Sequence, residues 1–216
     1  MEVTESMAAR TPALPRLSAP AEHVGLLVAF ANSVDTDEGT DDLTTPSELA
    51  RWLTEHRLLS APARAVTEDL DLALAIRAGL KEAFADNHQR AATSTGRRGA
   101  LETAAAELPL RLAGTTTHPR LRPVHEGVRG ALSLLLIAVQ AAVGDGSWQR
   151  LKICGDDECG WAFFDASKNQ SRNWCEWGCG NRAKTRRYRA RRRAVTHAAA
   201  TAGAEHALGD GGRSTR

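Results

Sequence analysis

The sequence has little that would place the chain in a membrane, in a secreted disulfide scaffold or among the enzymes. Its longest apolar run, Ala131 to Val143 (ALSLLLIAVQAAV), falls short of the about 20 residues that span a bilayer, so a buried helix is expected there and no membrane partner. Residues 1–20 contain Pro12, Pro15 and Pro20 and no apolar stretch of the kind a secretory signal carries. No nucleophile–base set, P-loop, GxGxxG or HExxH occurs, so no catalytic residue is assigned and no enzymatic activity is expected. The histidines His23, His56, His88, His118, His125, His197 and His206 are scattered, without metal-ligand spacing. Cysteine is scarce too, with four in 216 residues. Together these absences favour a cytoplasmic protein, where thiols stay reduced.

What is present is concentrated at one end. All the cysteines fall between Cys154 and Cys179, in the pattern C-x4-C-x15-C-x3-C. Structural zinc takes four ligands in a tetrahedron, and cysteines a few residues apart supply two of them from one turn. No histidine lies between Leu151 and Thr196. The ligand set is therefore Cys154, Cys159, Cys175 and Cys179, around one Zn2+. A site filled by four thiolates has no open position, which makes it structural rather than catalytic. Trp148, Trp161, Trp174 and Trp177 cluster here with Phe163 and Phe164. They suit either a miniature core around the metal or, for a ring such as Trp177, stacking on a base.

The net charge of +2 hides an asymmetry. Lys168, Arg172, Arg182, Lys184, Arg186, Arg187, Arg189, Arg191, Arg192 and Arg193 stand against Glu176 alone, so this segment is +9 and the remainder −7. Those ten basic residues are the candidate nucleic-acid contacts, since arginine forks suit phosphate and guanine. DNA is the first expectation and RNA the alternative, because charge does not separate them. The acidic remainder is also a possible internal shield for the basic segment.

The expected fold is α+β. Residues 1–20 read as a flexible leader. A mostly helical domain with a short β-hairpin spans 21–147, and a small treble-clef-like zinc finger with a basic helix spans 148–195. Residues 196–216 read as a flexible, Gly-rich tail. Helices are expected over 21–34, from Pro46, from Thr67, in the Ala-rich stretch after Gly99 and over 126–143. Thr45-Pro46-Ser47-Glu48 has the makings of a capping box. Strands are expected at 109–112, 120–124, 151–153 and 161–164, and a final helix opens near Asn181.

Residues 150–193 resemble the CGNR zinc finger, named for the tetrapeptide that stands here as Cys179-Gly180-Asn181-Arg182. The resemblance includes the first cysteine pair, Phe164-Asp165-x-Ser167, the Arg172 to Cys175 stretch and the basic run after Arg182. Upstream, LVAFANSVD (27–35) and LTTPSELARWL (43–53) resemble the ABATE domain, described as a stress-induced transcription regulator. This chain has Ser33 where that family often has Thr, and three residues rather than four within the last cysteine pair. The resemblance implies a bacterial transcription regulator that binds DNA through its finger, with a sensory or dimerising N-terminal domain. A small-molecule effector there has Phe30, Asn32 and Trp52 as candidate contacts, and the oligomeric state stays open.

Overall fold

A computed structural model describes residues 20–59, 63–89, 99–114, 118–175 and 178–209. Helix α1 (Pro20–Ala31) leads into a minimal hairpin, β1 (Val34–Asp35) and β2 (Thr40–Asp41). Three helices follow: α2 (Pro46–Glu55), α3 (Thr67–Gln89) and α4 (Gly99–Ala106). An antiparallel ribbon, β3 (Leu110–Ala113) and β4 (Arg120–Pro123), precedes α5 (Gly127–Gly144). A second ribbon, β5 (Leu151–Ile153) and β6 (Ala162–Phe164), and the long α6 (Cys179–Gly209) complete the chain. The architecture is the expected α+β one. The acidic stretch at 35–42 forms its own hairpin, closed by Gly39 at φ 67°.

The capping box forms as read from the sequence. Thr45 accepts from the Glu48 backbone, and the Glu48 carboxylate accepts from the Thr44 and Thr45 backbones. Thus α2 starts where its sequence dictates and presents Leu49, Trp52 and Leu53 inward. They meet Leu27 and Phe30 of α1, Ile76, Leu80 and Phe84 of α3, and Leu132 and Leu135 of α5 in one core. Phe30 and Trp52 pack edge to face at 5.1 Å. Helix α3 crosses α4 so closely at Gly79 that an added Cβ would stand 2.7 Å from the Leu101 backbone nitrogen. Helix α5 is long and apolar enough to span a bilayer by length and composition alone, yet half of it is buried inside the protein. It is the central core helix, as expected.

Inside this mostly apolar domain, Arg77 is fixed by a bidentate pair with Asp41, both contacts 2.7 Å, and a bond to Ser33 Oγ at 3.1 Å. The Arg77 guanidinium, more than any other contact, holds the Asp41 carboxyl below the usual range. Ser33 in turn donates to the Phe30 carbonyl at 2.9 Å. A hydroxyl is what this position needs, and serine supplies it as threonine would.

Two features go beyond the sequence reading. The ribbon of the finger contributes to the core of the helical domain. Leu151 and Ala162 of the second ribbon are fully buried in the main core, and Trp148, Ile153 and Phe164 pack against it. Trp148 meets Phe84 of α3 edge to face at 5.6 Å. The miniature core around the metal keeps only Phe163, Trp161 and Trp174 among the described aromatics, and Trp177 lies outside the described residues. The second concerns the stretch read as a flexible tail, 196–216. Helix α6 continues into it as far as Gly209, where six of the thirteen residues from His197 are alanine, the strongest helix former. Residues 1–19 and 210–216 lie outside the described part.

Candidate metal centre

The β5–β6 ribbon sets the first cysteine pair. Cys154 leaves β5 and Cys159 closes the following turn, where its N–H donates to the Asp156 carbonyl at 2.9 Å. The chain returns through Gly160, at φ 59°, into β6. Cys175 lies at the end of the loop after β6, and Cys179 is the first residue of α6. This is the knuckle, hairpin and helix of a treble-clef arrangement.

All four Sγ atoms lie within 4.8 Å of one another, and all four cysteines are buried. The Cys159–Cys175 and Cys175–Cys179 sulfurs are 3.7 and 3.4 Å apart. A disulfide needs about 2.05 Å. Four sulfurs at about 2.3 Å from a central zinc stand about 3.8 Å apart, which these separations approach. The three-residue spacing of the last pair, turning at Gly178 with φ 74°, therefore closes properly. The donor chemistry and geometry fit one structural zinc ion.

Without metal, such a cluster is costly. Burial pushes the Cys154 and Cys159 thiols up. Burial acts on Cys179 in the same sense, but hydrogen bonds from Cys175, Cys159 and Arg182 outweigh it and hold that thiol down. Zinc offsets the thiolate charge, leaving about −2 on the filled site. Arg182 donates to Cys179 Sγ at 3.0 Å, and the N-terminus of α6 adds its partial positive charge.

The name-giving tetrapeptide thus has structural roles that its composition did not disclose. Cys179 is a ligand, Gly180 lies against the Trp174 ring, and Arg182 bridges the metal site to the helical domain. The same Arg182 nitrogen that meets Cys179 also donates to Asp37 in the β1–β2 turn at 2.9 Å. Its Nε lies 3.5 Å from the fully buried Asp156. Arg186, one turn later, pairs with Asp156 and, at 2.7 Å, with Glu158.

The ten basic candidates therefore divide. Arg182 and Arg186 clamp α6 to the knuckle. Arg172 donates from its backbone to Asp165 and from Nε to the Trp174 carbonyl, and its guanidinium sits 5.2 Å from the centre of the Phe163 ring. Lys168 is exposed in the loop before Cys175. Lys184, Arg187, Arg189, Arg191, Arg192 and Arg193 are exposed along α6. The acidic groups that meet the foot of the helix are Asp37, Asp156 and Glu158. Acidic residues at 156–158, inside the first cysteine pair and facing a basic helix, were the signal that marks this clamp.

Three more contacts join finger and helical domain. Asn32 pairs with Ala162 on β6 like a neighbouring strand, accepting from its N–H at 2.7 Å and donating to its carbonyl at 2.9 Å. Thr36 donates to the Cys159 carbonyl at 2.7 Å. Asn87 donates to the Trp148 and Leu151 carbonyls at 2.8 and 3.1 Å. The effector candidates are accordingly taken up elsewhere: Phe30 and Trp52 in the core, Asn32 in this junction. Asn32→Ala is expected to cost about 2–4 kcal/mol, because it strands a donor and an acceptor of β6. Denaturant unfolding of the zinc-loaded protein measures this, and a loss below about 0.5 kcal/mol would mean that water replaces the amide.

Residues 150–192 match the family model described as CGNR zinc finger. Residues 25–144 match the ABATE model, described as "Putative stress-induced transcription regulator". No curated protein matches the chain. With more than half of its length covered by the ABATE match and the four cysteines of the finger gathered at one point, the chain belongs to the ABATE family and carries a CGNR zinc finger.

Proposed function

We propose that this protein is a cytoplasmic, non-enzymatic transcription regulator that binds duplex DNA through α6. One observation carries the reading. Lys184, Arg187 and Arg191 recur at helical spacing along one face, opposite the face clamped through Arg182 and Arg186. All three are exposed and have no carboxylate partner among the described residues. The clamp and the zinc hold the foot of the helix, so this cationic face is presented by a fixed support rather than by a loose arm. Guanidinium forks bind phosphate oxygens in pairs, and a helix of this width enters the major groove. The family description supports a regulator, and the ABATE part supplies the sensory or dimerising function.

The test is a titration of the zinc-loaded chain with duplex DNA across salt concentrations. Replacing Lys184, Arg187 and Arg191 by Gln is expected to lower the log–log salt slope by about 2–3 units, since each phosphate contact contributes about 0.9. Zinc content should not change, because none of the three touches the knuckle. Unaltered DNA binding in that variant would overturn the assignment. Binding confined to structured RNA would move the protein to the alternative reading.

A further inference from the structure

The β3–β4 ribbon carries charge that its own fold does not use. In its register Arg111 stands opposite Arg122, and Ala113 opposite Arg120. Opposed residues share a face and alternate residues return to it, so the three arginines lie on one side of the ribbon. All three are exposed. The other side pairs Leu110 with Pro123 and Leu112 with Leu121. Pro123 is buried there, close to Gly130 of α5, where an added Cβ would lie 4.0 Å from its own. The ribbon is thus anchored at its Pro123 end, while Leu112 on the same side stays exposed, and the arginine face turns outward.

Like charges directly opposite one another destabilise a strand pair. None of the three guanidiniums has a carboxylate partner among the described residues. His118 joins Arg120 and Arg122 around an open depression of about 260 Å³, floored by Ala113 and Gly114. Its shape depends on the Gly114 turn, at φ 105°, where a Cβ would meet the His118 carbonyl oxygen at 2.7 Å. A face with three arginines, no acid and an internal repulsion is complementary to a polyanion.

We propose that this arginine face is a second DNA contact, binding phosphates of the duplex backbone from the ABATE domain. The proposal rests on the reading of the protein as DNA-binding and adds a site that α6 does not include. Its contacts are to phosphate, so it strengthens binding without choosing a sequence. Filling it with phosphates also removes the repulsion between Arg111 and Arg122.

The experiment compares three zinc-loaded full-length proteins on one short duplex: wild type, R111Q/R120Q/R122Q and K184Q/R187Q/R191Q. The ribbon variant is expected to lose about 2–3 units of salt slope, as three phosphate contacts require. Its Tm should be equal to or above that of wild type, because the cross-strand repulsion is gone. R111K/R120K/R122K should keep most of the slope, which separates a charge effect from a folding defect. A ribbon variant with the wild-type slope, beside a helix variant that has lost it, would overturn this site and leave the α6 reading standing. A wild-type protein that ignores DNA would overturn both. A ribbon effect seen only on a structured RNA would overturn the assignment to DNA.

Discussion

Cys175→Ser, like removal of zinc by a chelator, is expected to lower the Tm of the whole chain by more than about 10 °C rather than to melt the finger alone. The reason lies in the shared core. The ribbon that positions the first cysteine pair also buries Leu151 completely and packs Ile153 and Phe164 against the helices. Burying side chains of this size stabilises by about 1.5–3 kcal/mol each. Without metal, four buried thiols within 4.8 Å of one another keep only weak sulfur contacts and the arginine clamp, and the knuckle is expected to open. Opening the knuckle frees Cys159, whose carbonyl holds Thr36, and loosens Arg182, which holds Asp37. If the ribbon leaves the core, the loss is several kcal/mol, and each kcal/mol moves Tm by about 2–4 °C in a chain of this size. Thermal unfolding followed by circular dichroism, with metal measured per chain, reads both quantities. A metal-free variant whose Tm stays within a few degrees of wild type would show that the ribbon docks without zinc.

The parts of the fold that the sequence disclosed are those written in local chemistry. The cysteine spacing and the Thr45–Glu48 capping box are each set by residues close together in the chain. They emerged as read. The junction was not legible, because its partners lie far apart in the chain. Asn32 and Ala162 are separated by 130 residues, and Arg182 and Asp37 by 145. An asparagine two residues after a phenylalanine offers a pocket as readily as a strand edge, and only the packed chain chooses between them. The extent of α6 was misread for a different reason. Glycine in the last segment suggested a chain without order, whereas alanine fills half of the positions between Thr196 and Ala207 and favours helix there.

The charge asymmetry was legible as a total but not as a division of labour. Counting basic residues assigned all ten to one partner. The structure engages Arg172, Arg182 and Arg186 in the architecture of the finger and leaves Lys184, Arg187 and Arg191 exposed on the opposite face of α6. Substitutions at the two kinds of position should therefore differ in kind. Loss of Arg182 or Arg186 is expected to alter stability, because it removes one of the two cationic neighbours of buried Asp156. On the proposed DNA-binding reading, loss of Lys184, Arg187 or Arg191 is expected to alter binding and leave stability unchanged.

The second large effect is expected from Asp165→Asn, which should destabilise the protein by about 3–5 kcal/mol, the usual result of removing one partner from a buried ion pair. Asp165 and Lys152 are almost wholly inaccessible to solvent and lie 2.7 Å apart. Asp165 also accepts from the Ser167 backbone and hydroxyl at 2.9 and 2.6 Å and from the Arg172 backbone at 3.0 Å. Lys152 reaches onward to the Gln170 carbonyl at 2.6 Å. The pair therefore fixes the loop from 165 to 172 that delivers Cys175 to the metal. Burial alone would raise the Asp165 carboxyl, but Lys152, Ser167 and Arg172 together hold it well below the usual carboxylate range. Its folded value thus lies under the ordinary 3.8, so the stability it contributes is complete above that pH and is lost as pH falls further. Wild type should show a steeper acid loss of stability than Asp165→Asn, beyond any loss that both share through protonation of the zinc thiolates. The double variant Lys152→Met/Asp165→Asn should recover part of the deficit, since no unpaired charge remains buried. Urea unfolding of the four proteins of this cycle gives the coupling directly. Additive losses would show that the two residues act separately and that the loop is held by Ser167 and Arg172 alone.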